Sequence, residues 1–344
     1  KKKDNNYYES KNLKISVIIP TYNREIHLQK CLKKILDQKK LPIEVIIIDN
    51  SQNYEAQKIT DNLKSEFEVK QISLIYLRNN ENSGATARNL GAQHAKGDLI
   101  AFLDDDVLLD INYYYEIEKV FFEFPNALGV QGYDKNHYSA FQKITGSFFQ
   151  QLIYQFEKIF MISSYFEKDK SRVLPSLCVT NPRPNFNLII QSQWISTCAG
   201  VFSKKVFKNF KFDSQFKKYS WNEYLDFSYS IYLENKKSLY VTPNATYIDV
   251  QTNKGRLHPK ELIYMSEVYD MYIFLKRFDM TFKNIFIYVW SKLGRMLYNL
   301  VRIFVRYPKQ LKLVLHYLYA PVHVLINFSK IKKGKLDFFN KTLT

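Results

Sequence analysis

The strongest constraint on this chain is an alternation of apolar runs and helix-period segments over its first third. Ile15-Ser16-Val17-Ile18-Ile19-Pro20, Val45 to Asp49, Ile72 to Leu77 and Leu99 to Leu103 each read as a strand. Runs with apolar residues at successive positions suit strands covered on both faces, as in a parallel sheet between helix layers. Between them, Leu28, Leu32, Ile35 and Leu36 recur at helical spacing, as do Ala56, Ile59, Leu63 and Phe67, and residues 85–95 form a third helical segment. Alternation of this length predicts an α/β fold with an open, mainly parallel sheet flanked by helices. Ligands of such sheets bind outside the carboxyl ends of the strands. Asp49 and the run Asp104-Asp105-Asp106 fall at two such ends. Three adjacent acids repel one another, and a hard divalent ion, Mg²⁺ or Mn²⁺, relieves that repulsion. A solvated acidic turn is the other reading of the triplet taken alone.

Composition narrows the setting. The 344 residues carry 50 Lys and Arg against 33 Asp and Glu, a net charge of +17, which points to phosphorylated ligands, an anionic membrane surface or nucleic acid. No nucleic-acid-binding motif accompanies the charge, and nucleic acid is not expected as a partner. Three cysteines, Cys31, Cys178 and Cys198, have no metal-ligand spacing and fit a reducing cytosol. Neither a signal-peptide core nor an apolar stretch of about 18 residues is visible, so a cytoplasmic location is expected. Neither Gly-x-Gly-x-x-Gly nor Gly-Lys-Ser/Thr follows the first strand, which disfavours dinucleotide-binding and P-loop folds.

Residues 1–12 read as a polar arm and 13–256 as one catalytic unit, with a donor half (13–132) and an acceptor half (133–256). Residues 257–344 read as a helical extension. Within the acceptor half, residues 148–160 predict an aromatic-faced helix, 223–234 a helix and Leu239 to Val241 a strand. In the extension, 262–278, 282–305 and 311–328 predict helices. Lys292, Arg295, Arg302, Arg306, Lys309 and Lys312 interrupt the apolar pattern of the last two. Apolar faces interleaved with basic residues suit helices in a membrane interface, and packing on the sheet is the alternative.

Several motifs together resemble the family-2 glycosyltransferases of the GT-A fold. They are Ser16 to Arg24; Val45 to Ser51; Asn82-Ser83-Gly84-Ala85 with Ala87-Arg88-Asn89 and Ala95 to Asp98; Phe102 to Asp106; Cys198 to Phe202; and Glu223 to Tyr229. The resemblance covers about residues 13–256 in order. It implies an inverting enzyme that moves a sugar from a nucleotide-diphosphate donor to a glycan or lipid-linked glycan acceptor. Pro20, Thr21, Tyr22, Asn23, Asp49 and Asn50 are then expected around the base and ribose. Arg88, Asp105 and Arg256 are expected near the phosphates or sugar, and Asp104 and Asp106 on a divalent ion. Where many relatives have a His that ligates the ion, this chain has Asp249. The family's base is an acid of a Glu-Asp-x-Asp block; here the block reads Glu223-Tyr224-Leu225-Asp226, so the base is expected to be Glu223 or Asp226. A degenerate sugar-nucleotide-binding scaffold and a sugar nucleotidyltransferase are the other readings. Oligomeric state is not legible.

Overall fold

The computed structural model describes residues 12–250, 252, 254–306 and 311–343. The polar arm expected over residues 1–12 lies almost wholly outside these. In chain order, β1 (Ile15–Thr21), α1 (Glu25–Leu36), β2 (Glu44–Asp49), α2 (Glu55–Val69), β3 (Ser73–Arg78), α3 (Gly84–His94) and β4 (Leu99–Phe102) realise the expected alternation. These four strands pair in the order β3-β2-β1-β4, all parallel.

Side-chain alternation explains why the runs are apolar throughout. Val17, Ile19, Val45, Ile47, Leu99 and Ala101 enter one core, against Leu28, Leu32 and Ile35 of α1 and Leu63 and Phe67 of α2. Ile18, Ile46, Ile48, Ile100 and Phe102 enter the opposite core, against Ala85 and Ala87 of α3. Each strand is a floor for one layer and a ceiling for the other.

The sheet continues with β5 (Val107–Leu109), β6 (Gly129–Asp134), β10 (Val201–Ser203) and β11 (Leu239–Asp249), in the order β4-β10-β6-β11-β5. Strand β10 runs antiparallel to both neighbours, whereas β6 and β11 are parallel. Helix α4 (Tyr113–Glu123) covers the first core. Between β6 and β10 lie helices α5 (Lys135–Thr145) and α6 (Phe148–Phe160) and the short strands β7 (Tyr165–Glu167), β8 (Thr180–Pro182) and β9 (Ile190–Ser192).

Helix α7 (Glu223–Glu234) and helix α8 (Pro259–Arg277) cover the second core, and α9 (Phe282–Arg306) and α10 (Lys312–Ile326) follow. Met265, Val268, Tyr269 and Ile273 of α8, and later Ile331, Leu336, Phe339 and Leu343, belong to the same apolar cluster as Ile18 and Phe102. Much of the region expected as an extension therefore packs on the sheet.

Candidate active site

The carboxyl ends of β1 and β4 meet the start of α7 around a cleft of about 560 Å³. Its centre is the acidic triplet, which backbone bonds hold from three sides. Leu103 N donates to Ile18 O, Asp104 N donates to Cys198 O, and Asp106 O accepts from Val250 N. The triplet is therefore fixed in the sheet edge, and the solvated-turn reading fails: Asp105 is 2% exposed and Asp106 7%.

Two buried acids and the half-buried Asp104 beside them need compensation. Arg24 Nη1 lies 3.1 Å from Asp105 Oδ1 and 3.0 Å from Asp106 Oδ2. Thr21 Oγ1 donates to Asp105 Oδ2 at 2.6 Å. Arg88, reaching down from α3, bridges Asp104 Oδ1 at 2.8 Å and Glu223 Oε1 at 2.6 Å. A Cβ at position 84 would stand 2.9 Å from Arg88 Nη1 and press on the guanidinium. Burial alone would lower the pKa of Arg88, but Glu223 and Asp104 outweigh it and raise it.

Glu223 faces this centre with a strongly perturbed carboxyl. Burial pushes its carboxyl up to about 7, against the pull of Arg88 and with a further push from Asp104. Its Oε2 is buried without a hydrogen-bond partner among the described residues. A buried carboxylate oxygen, free to accept and titrating near neutrality, has the properties of a general base. Burial also raises Asp104, with Asp106 and Asp249 adding to the rise, and lifts Asp105 to about 7.

Asp226 stands elsewhere. Three residues along α7 it is one turn further on, where α8 meets it: Arg277 Nε donates to Oδ1 at 2.6 Å and Lys276 Nζ to Oδ2 at 2.9 Å. Asp226 does not line the cleft. Asp226, the alternative expected base, is held outside the cleft by this ion-pair network.

Pro20, Thr21, Tyr22, Asn50, Arg88, Asp249 and Arg256 line the cleft. Asn50 and Tyr22 also border an adjoining hollow of about 240 Å³ with Ser51, Arg78 and Asn79. Asp49 and Asn23 line neither. Asp49 is fully buried, its Oδ1 accepting from Ser51 N and its Oδ2 from Tyr76 Oη, so it shapes the Asn50–Ser51 floor. Asn23 adopts a left-handed φ of 54° and its N donates to Ser51 Oγ.

Sequence reasoning left Arg24 out of the site, although it closes the motif that holds Thr21 and Tyr22. It also missed the segment before α7. Lys218, Ser220 and Asn222 all adopt positive φ, and Tyr219 and Trp221 line the cleft between them. Backbone strain of this kind persists only where surroundings enforce it. Asp270 of α8, fully buried, is one enforcer: its Oδ1 accepts from Trp221 Nε1 and Asn222 Nδ2, both at 2.9 Å. Its Oδ2 pairs with Lys292 at 2.8 Å and Arg295 at 2.9 Å on α9. Two residues expected to interrupt a membrane-facing surface thus turn inward. Asp270→Asn is expected to lower unfolding free energy by about 2 kcal/mol, the scale of charged hydrogen bonds, as read by urea denaturation.

Asp104, Asp106 and Asp249 share the cleft, and an all-oxygen set suits Mg²⁺ or Mn²⁺. Among the described residues, no three His, Cys, Asp or Glu side chains could hold an ion by themselves.

The fold is similar to that of GT-A glycosyltransferases. Residues 16–175 match the family described as glycosyl transferase family 2. It is 26% identical over 247 residues to the glycosyltransferase GlyA of Streptococcus pneumoniae, covering 71% of this chain and 31% of the relative. It is 34% identical over 95 residues to a GalNAc(5)-diNAcBac-PP-undecaprenol beta-1,3-glucosyltransferase of Campylobacter jejuni, covering 27% of this chain and 29% of the relative. The matched segments span about a third of these relatives' lengths. In fold, the chain is similar to the mannosyltransferase PcManGT of Pyrobaculum calidifontis, solved with GDP-Man and Mn²⁺ (TM-score 0.54, 12% identity, 92% of this chain and 88% of that one). It is also similar to S. aureus TarS residues 1–349 with UDP-GlcNAc (TM-score 0.53, 13% identity, 95% and 90%).

Proposed function

We propose that the chain moves one sugar from a nucleotide-diphosphate sugar to a glycan or lipid-linked glycan acceptor, with inversion by direct displacement. The observation that carries this reading is Glu223: a buried carboxyl with an unpartnered oxygen, raised to about 7, in the same cleft as the acidic triplet. Glu223 Oε2 takes the acceptor hydroxyl proton as that oxygen forms its bond to the anomeric carbon. The bond from that carbon to the diphosphate breaks, and the diphosphate leaves with the electron pair. Arg24 and Arg256 border the cleft as cations for the departing charge. Asp106 and Asp104, with Asp249, would hold a divalent cation that supplies Lewis-acid stabilisation of the diphosphate. The hollow beside Tyr22 and Asn50 takes the nucleobase, on the floor that Asp49 shapes.

A lipid-linked acceptor accords with the undecaprenol-linked substrate in the name of the Campylobacter relative. It also accords with the chain's basic charge, and the proposed setting is the cytoplasmic membrane face. No helix among the described residues is long and apolar enough to cross a membrane.

Calorimetric titration of UDP and GDP tests the acid cluster. With Mn²⁺ present, one of them is expected to bind at least about tenfold more tightly than after chelation, a difference of about 1.4 kcal/mol. Equal binding in both conditions would remove Asp104 and Asp106 from the donor site.

A further inference from the structure

Helix α9 has three differently occupied faces. One turns inward: Tyr288, Ser291 and Ile303 are buried, and Lys292 and Arg295 reach Asp270. A second meets α6. Phe160 stacks on Trp290 at 4.5 Å, Phe156 stacks on Tyr298 at 6.5 Å, and Trp290 Nε1 donates to Ile159 O. Gly294 lies between, where a Cβ would collide with the Phe160 ring.

The third face is open. Phe282, Phe286, Val289, Leu293, Leu297 and Val301 recur every three or four residues and are 40–86% exposed. Lys292 and Arg295 are the only charged residues from Ile285 to Val301, and both point away. The stripe is about 30 Å long at 1.5 Å per residue. Helix α6 extends it: the Phe160–Trp290 and Phe156–Tyr298 pairs set the two helices antiparallel. Ile159 (61% exposed), Leu152 (53%) and Phe149 (67%) then continue alongside. An apolar surface of this extent is not left to water in a monomer without a partner.

Charge selects the partner. Residues 257–344 hold 15 Lys and Arg against 5 Asp and Glu, and Lys330, Lys332, Lys333 and Lys335 are all exposed. Two copies of so basic a chain repel, whereas an anionic lipid surface attracts it and accepts the apolar stripe at its headgroup boundary. We propose that the joint α6–α9 face seats the protein on an anionic bilayer, with both helices lying in the interface. This rests on the membrane setting proposed above and identifies the contact surface, part of it from the middle of the chain.

Flotation of the full-length chain with phosphatidylcholine vesicles, with or without phosphatidylglycerol, tests it. Deleting the C-terminal helices would strip Lys292 and Arg295 from Asp270, so point variants are the cleaner probe. Wild type is expected to float with the phosphatidylglycerol vesicles. F286S/V289S on α9 and F149S/L152S on α6 are each expected to weaken partitioning about tenfold or more at unchanged Tm. If wild type binds and the α6 pair binds equally well, the shared face is wrong while the membrane setting stands. If wild type binds neither vesicle, both fall. If it sediments as a dimer that F286S/V289S dissociates, the face belongs to a second copy and the proposal is overturned.

Discussion

Glu223→Gln is expected to lower sugar transfer by about 10²–10⁴-fold, the range general-base removal produces, while nucleotide affinity changes little. Gln keeps the shape and accepts from Arg88 through its amide oxygen, so the donor side of the cleft is preserved. The same variant separates activity from stability. Glu223 has a folded pKa raised to about 7 from 4.5, so the folded state holds its proton more tightly than the unfolded chain. Its contribution to stability is present below about pH 4.5 and is lost as pH rises through 7. Activity runs the opposite way, because only the ionised form accepts the acceptor's proton. The wild-type kcat/KM is therefore expected to rise through an acid limb near pH 7. Thermal denaturation at pH 8 is expected to show Glu223→Gln as stable as wild type or more so.

Arg88→Ala carries the largest expected cost to the fold. One guanidinium, 7% exposed, neutralises carboxylates from two different parts of the chain, and its loss leaves Asp104 and Glu223 uncompensated. Breaking a buried pair by removing one partner costs about 3–5 kcal/mol, a fall in Tm of roughly 4–7 °C for a chain of this size. Arg88 also holds the Glu223 carboxyl down, so its removal moves that pKa further up. The residual activity of Arg88→Ala is expected to have its acid limb displaced to higher pH. A variant with wild-type Tm and an unmoved limb would contradict the Arg88–Glu223 linkage.

How legible each feature was follows from how local its cause is. Strands β1, β2 and β4 were readable because each is apolar on both faces, and α7 because its apolar residues recur at helical period. Helix α5 was not: Lys135–Thr145 offers only Tyr138, Phe141 and Ile144 as large apolar residues, too short a series to mark it. The three-residue strands β7, β8 and β9 carry too few residues for any pattern. At the site, the acidic triplet was visible as a sequence run. The pairing of Arg88 with Glu223 joins residues 135 apart and leaves no local trace. Asp226 misled for the same reason, since its partners Lys276 and Arg277 sit 50 and 51 residues away. Lys292 and Arg295 looked like membrane-facing cations because α9 alone cannot show that Asp270 of α8 turns them inward.

The central claim is that Glu223, beside the acidic triplet, drives metal-assisted sugar transfer. Release of nucleoside diphosphate from a panel of nucleotide sugars with Mn²⁺ tests it most directly, comparing wild type, Glu223→Gln and Asp226→Asn per folded molecule. The account predicts that wild type and Asp226→Asn cleave the same donor, that Glu223→Gln does so at least about 10²-fold more slowly, and that chelation stops all three. Cleavage undiminished in Glu223→Gln, or abolished only in Asp226→Asn, would contradict it.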